Sequence, residues 1–97
     1  MKARVSVDGK NLFLNPFMAS LIANIVDALA RSLKTPEGKI IQFSLAKNDL
    51  NLTMDGIPVP LNIGHAHLIA GNILRGIAVS LKGAEQAQNI DFFCERP

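Results

Sequence analysis

The chain contains much of itself twice, and that repeat limits the folds open to it more than any other feature. Setting Val5 to Asn15 against Leu52 to Asn62, and Pro16 to Lys34 against Gly64 to Lys82 with Ile63 as an extra residue, gives 10 identities over 30 aligned positions. They include Asp8/Asp55, Gly9/Gly56, Asn15/Asn62 and Asn24/Asn72. These are turn, cap and helix positions, where a repeated supersecondary unit needs the same chemistry.

Within each copy the pattern is specific. Ala3, Val5 and Val7 alternate with Arg4, Ser6 and Asp8, as in a strand with one buried side. Asp8-Gly9 then marks a two-residue hairpin, since a type I′ turn needs positive φ at both central positions. Asn15 stands where a helix N-cap belongs, with Pro16 at the first helical position, where its missing N–H costs nothing. Met18, Leu21, Ile22, Ile25, Val26, Leu29 and Leu33 follow at helical spacing, with Ser20, Asn24, Asp27, Arg31 and Lys34 on the wet side. Thr35-Pro36-Glu37-Gly38 is expected to end that helix. Ile41, Phe43 and Leu45 alternate as a third strand, and Lys47-Asn48-Asp49 makes a turn.

The second copy runs in the same order. Leu50, Leu52 and Met54 are expected to meet Leu61, Val59 and Ile57 across Asp55-Gly56, all six on the core face. Pro58 and Pro60 lack N–H groups on the side away from their hairpin partner, so their strand should be a sheet edge. By the repeat, Asn11 to Leu14 should be the opposite edge. Asn62 is the expected cap of a second helix with Ala66, Ile69, Ala70, Ile73, Leu74, Ile77 and Leu81 facing inward, closed by Gly83. Ile90, Phe92 and Cys94 form the last strand.

These elements predict an α+β, two-layer domain over residues 1–97, an internally duplicated ββαβ unit with halves 1–47 and 48–97. Its sheet should be six-stranded and mainly antiparallel, with both helices on one face. The third strands should lie near the centre; whether each pairs with its own hairpin or the other half's is open.

Composition narrows function by exclusion. A chain of 97 residues with 48% apolar side chains can build one stable core unaided. The single Cys94 cannot form an internal bridge, which fits a reducing compartment and a cytoplasmic location. The first ten residues are charged and apolar by turns, unlike a signal peptide. Residues 63 to 81 approach membrane-spanning length, but His65, His67, Asn72 and Arg75 interrupt them, so no membrane partner is expected. The net charge of +2 does not demand a polyanion.

Three functional readings follow. The preferred one is a non-enzymatic assembly or binding module that self-associates as a dimer through its helical layer. Where the first helix has Ser20, Asn24, Asp27 and Arg31, the second has Leu68, Asn72, Arg75 and Val79. Two polar positions have become apolar, and Gly71 and Gly76 permit close approach of another backbone. The alternative is single-stranded nucleic-acid binding on the open sheet face through Arg4, Phe13 and Phe93, by base stacking and charge. Asp91 and Glu95 on that face count against it. The third is a metal or acid-base site at His65 and His67, whose i, i+2 spacing does not bring both rings to one side of a regular helix. No cofactor is implied. Asp8 and Asp55 are accounted for by their turns, and Cys94 reads as a small core residue.

Overall fold

The computed structural model describes residues 1–46, 49–61, 65–81 and 87–97. Eight elements follow the predicted order: β1 (Lys2–Val7), β2 (Lys10–Asn11), α1 (Pro16–Ser32), β3 (Ile40–Ala46), β4 (Asp49–Met54), β5 (Ile57–Val59), α2 (Ala66–Ala78) and β6 (Asn89–Glu95). The strands form one antiparallel sheet in the order β2-β1-β6-β3-β4-β5. Both helices cover the same face. α1 lies on β1, β6 and β3, and α2 lies on β3 and β4.

Both hairpins turn as their sequences require. Asp8 and Gly9 have φ of 49° and 85°, and Asp55 and Gly56 have 52° and 81°. Two successive positive values are the mark of the type I′ turn, whose twist matches that of the flanking strands.

The open question of strand order is decided at the centre of the sheet. β3 pairs with β4 and β6, and β6 pairs with β1, so each third strand lies against the hairpin of the other half. Phe43 and Phe92 stand opposite one another, flanked by Leu52 and Val5, and neither ring reaches solvent. The aspartates of the turns stabilise this order. The Asp55 carboxylate accepts hydrogen bonds from the backbone N–H groups of Lys39 (2.9 Å) and Ile40 (2.8 Å), at the start of β3. Asp8 does the same for Gln88 (3.1 Å) and Asn89 (2.8 Å), at the start of β6. In the sequence these carboxylates are accounted for by their turns alone. They also hold the first residues of the two central strands, and the N–H donors at Ile40 and Lys39 lower the Asp55 pKa.

Inward residues of the strands and both helices make one core: Val5, Ile41, Phe43, Leu52, Phe92 and Cys94 from the sheet, Ile22, Val26 and Leu74 from the helices. Cys94 sits there as expected, its Sγ 3.5 Å from the carbonyl oxygen of Ala23, and burial pushes the thiol pKa up. Such a thiol is a poor nucleophile.

Several expectations need correction. α1 is capped by Asn15, whose side chain accepts from the Met18 N–H at 2.8 Å, but it ends before Pro36 is reached. Lys34 takes a left-handed φ of 54°, and the N–H groups of Lys34 and Thr35 bond back to the carbonyls of Arg31 and Ala30. This is a Schellman ending, which satisfies the last carbonyls without glycine. α2 begins at Ala66 with His65 before it, not directly after Asn62. Asn62, Gly83 and the turn residues Lys47 and Asn48 lie outside the described residues. The edge strands are where the prolines and the hairpin placed them, yet β2 is two residues long and β5 three. Ile57, expected in the core, is exposed, because the short edge strand extends beyond the cover of α2.

The largest difference is a roll of both helices. The buried positions are Ile22, Ala23, Val26, Asp27 and Ala30 on α1, with Leu33 at its C-cap, and Ala70, Gly71, Leu74 and Ala78 on α2, with Leu81 just beyond it. Each helix lowers its small residues onto the sheet, where side chains from the strands need room, and turns one edge of its Leu/Ile stripe outward. Leu21, Ile69 and Ile73, all expected in the core, are exposed as a result.

Candidate interaction surface

The roll produces the most unusual surface of the molecule. On α2, Leu68 is 50% exposed, Ile69 60%, Ile73 41% and Val79, just past the last turn, 74%. Between these two flanks, Asn72 and Gly76 form the midline of the outer face. Arg75 is half-buried at its margin. On α1, Phe17 and Leu21 are also exposed. Leu68, Asn72, Arg75 and Val79 are the positions the sequence points to, and the structure adds Ile69, Ile73, Phe17 and Leu21. The signal was present in the pairs Ala70-Gly71 and Ala23-Ala30. Small residues beside a Leu/Ile stripe mark where a helix can approach a sheet most closely, and so which way it rolls.

Charge is scarce on these helices. Along their 17 and 13 residues, the charged side chains are Asp27, Arg31 and Arg75. Two of them are committed to each other. Asp27, placed by sequence on the wet face of α1, is 9% exposed and bridges two cations. One oxygen accepts from Arg31 Nε at 2.8 Å and the other from Arg96 Nε at 2.6 Å. Arg96 also donates to the carbonyl of Gly38 at 3.0 Å, and its own backbone N–H to the carbonyl of Lys39 at 2.8 Å. The cluster ties the end of β6 to α1 and to the start of β3. Desolvation raises the Asp27 pKa, but the hydrogen bonds from Arg31 and Arg96 outweigh it and hold the carboxyl below its ordinary value.

The sheet face, where the alternative reading expects single-stranded nucleic acid, carries a cation–π pair and a hydrogen-bonded carboxylate. Arg4 and Phe93 are cross-strand partners, as the alternation predicts, with the guanidinium 4.2 Å from the ring centroid. That cation–π contact occupies a face of the ring that a base would need. Phe13 is 88% exposed but lies beyond β2, outside the paired sheet. At the centre of the face, Ser44 Oγ donates to Asp91 at 2.5 Å and Gln42 Nε2 to the same oxygen at 3.3 Å. A carboxylate thus stands where a polyanion would approach.

His65 and His67 both lie at the start of α2. His65 precedes α2 and its carbonyl accepts the Leu68 and Ile69 N–H groups. His67, in the first turn, borders a shallow cleft of about 520 Å³ with Asp49, Asn51, Pro58 and Pro60, which His65 does not line. Among the described residues, no three His, Cys, Asp or Glu side chains form a group that could hold a metal ion. No described helix is long and apolar enough to cross a membrane. No family model, curated protein or solved structure matches this chain.

Proposed function

We propose that this chain is a non-enzymatic assembly module, an internally duplicated ββαβ domain of the cytoplasm, which self-associates through its helical layer. The observation that carries the reading is the outer face of α2, where Leu68, Ile69, Ile73 and Val79 stand exposed and Arg75 is the one Asp, Glu, Lys or Arg along the helix. Fully burying a side chain of this kind contributes about 1.5–3 kcal/mol. Four that are about half exposed would supply roughly 4 kcal/mol from each copy, about 8 kcal/mol from the two together, which falls inside the range of about 4–15 kcal/mol that association costs. Phe17 and Leu21 of α1, also exposed on the helical layer, would add to the gain where the contact reaches them.

Leu68→Glu combined with Val79→Glu should give a folded monomer, with circular dichroism unchanged and the mass by light scattering halved. A wild-type protein that is already monomeric at high concentration would refute the reading.

A further inference from the structure

α2 runs from Ala66 to Ala78, so its central residue is Asn72. At about 100° per residue, Asn72 and Gly76 fall between the Leu68/Val79 flank and the Ile69/Ile73 flank of the exposed arc. An amide in the middle of an apolar face is the wrong residue for simple burial. Its aligned counterpart, Asn24 on α1, has Ser20 and Arg31 in place of Leu68 and Val79, and there an amide is ordinary. Gly76 is also unexplained by the chain's own packing. A Cβ added to it would meet nothing within 4 Å, although glycine inside a helix costs about 0.5–1 kcal/mol relative to alanine.

Resting on the self-association reading, we infer that Asn72 lies on the twofold axis of an α2–α2 contact and pairs with its own copy, with Gly76 leaving room for the two amides. A residue at the crossing point of two helices related by a twofold meets itself whatever the crossing angle. An amide is both donor and acceptor, so it is one of the few polar groups that such a meeting can satisfy. A buried Asn in an apolar seam fixes register and oligomeric state at some cost in stability, which is the task Asn72 performs here.

The occupant is a second copy of this chain on two grounds. The helices carry Asp27 and Arg31, joined in the cluster with Arg96, and Arg75. The helical layer therefore offers little charge to a strongly acidic or basic partner, and little repulsion to itself. The molecule measures 31 × 30 × 19 Å, and its broad faces are large enough for the roughly 800 Å² per partner that a stable interface needs.

The test is disulfide trapping of the full chain, with light scattering alongside. Under mild oxidation Asn72→Cys should form a covalent dimer at least tenfold faster than Leu68→Cys, since only an on-axis pair of Cβ atoms meets the required separation. Cys94 is buried and does not compete. Gly76→Leu should stay folded and bind its partner at least tenfold more weakly. If the wild type is a dimer but Asn72→Cys crosslinks no faster than Leu68→Cys, or Gly76→Leu leaves the dimer unchanged, the axis is elsewhere and this inference falls alone. A monomeric wild type overturns both it and the reading on which it rests.

Discussion

Asp27→Asn isolates the ionic cluster that ties α1 to the end of β6. The carboxylate side chain is 12% exposed and that of Arg96 is 16% exposed, so removing the charge leaves a largely desolvated guanidinium without its anion. Breaking a fully buried pair costs about 3–5 kcal/mol. Residual solvent contact at both partners reduces this, and about 2 kcal/mol is expected at pH 7. For a domain of this size that is a fall of about 10 °C in melting temperature. The pH dependence follows from the direction of the shift. The folded-state pKa of Asp27 lies below its unfolded value of 3.8, so the contribution is complete above 3.8 and is lost as the pH falls through the folded value. Urea denaturation of wild type and variant should therefore show a constant gap from neutrality down to about pH 4, closing in stronger acid. In a double-mutant cycle the coupling should be large with Arg96→Met and far smaller with Arg31→Met, because Arg31 is 70% exposed. A variant within about 0.5 kcal/mol of wild type at pH 7, the ordinary range of surface changes, would refute this account of the cluster, as would a gap that persists in acid.

Three further outcomes are expected. Asp8→Ala should cost about 1–2 kcal/mol in denaturation by leaving the Gln88 and Asn89 N–H groups without their acceptor, and Asp55→Ala should destabilise in the same direction; amide exchange at Ile40 and Asn89 would report the loosened strand starts. Gly9→Ala and Gly56→Ala should each cost about 1 kcal/mol, since φ of 85° and 81° is strained for a residue with a Cβ, and their effects should add because the turns share no partner. Cys94 should react with a thiol reagent only as the protein unfolds, at a rate tracking global stability, because burial both hides the sulfur and raises its pKa.

The local elements were legible in the sequence because their causes are local. The Asp-Gly pairs could only be tight hairpins, Asn15-Pro16 could only open a helix, and the period-two runs around Phe43 and Phe92 set the inward face of the central strands. Pro58 and Pro60 marked an edge because a missing N–H is a property of the residue itself. The candidate surface was half legible: Leu68 and Val79 stood out against Ser20 and Arg31, but Ile69 and Ile73 were assigned to the core. A stripe of Leu and Ile specifies an apolar face about a third of the helix wide. Which edge of it meets the sheet depends on the height of the strand side chains beneath, and that no helix sequence contains.

What the sequence by itself determined, then, is the order ββαβββαβ, the two turns, the cap of α1, the inward faces of the strands and the two blunt edges. Tertiary structure alone decided three things. It placed β6 beside β1 and β3 beside β4, a choice between pairings that bury the same residues and leave the same edges. It drew Asp27 from the wet face of α1 to Arg96, 69 positions away in the chain. And it rolled both helices onto their small residues, turning Ile69 and Ile73 out beside Leu68 and Val79. Each depends on contacts between segments far apart in sequence, where the free energy belongs to the pair and neither segment alone carries a sign of it.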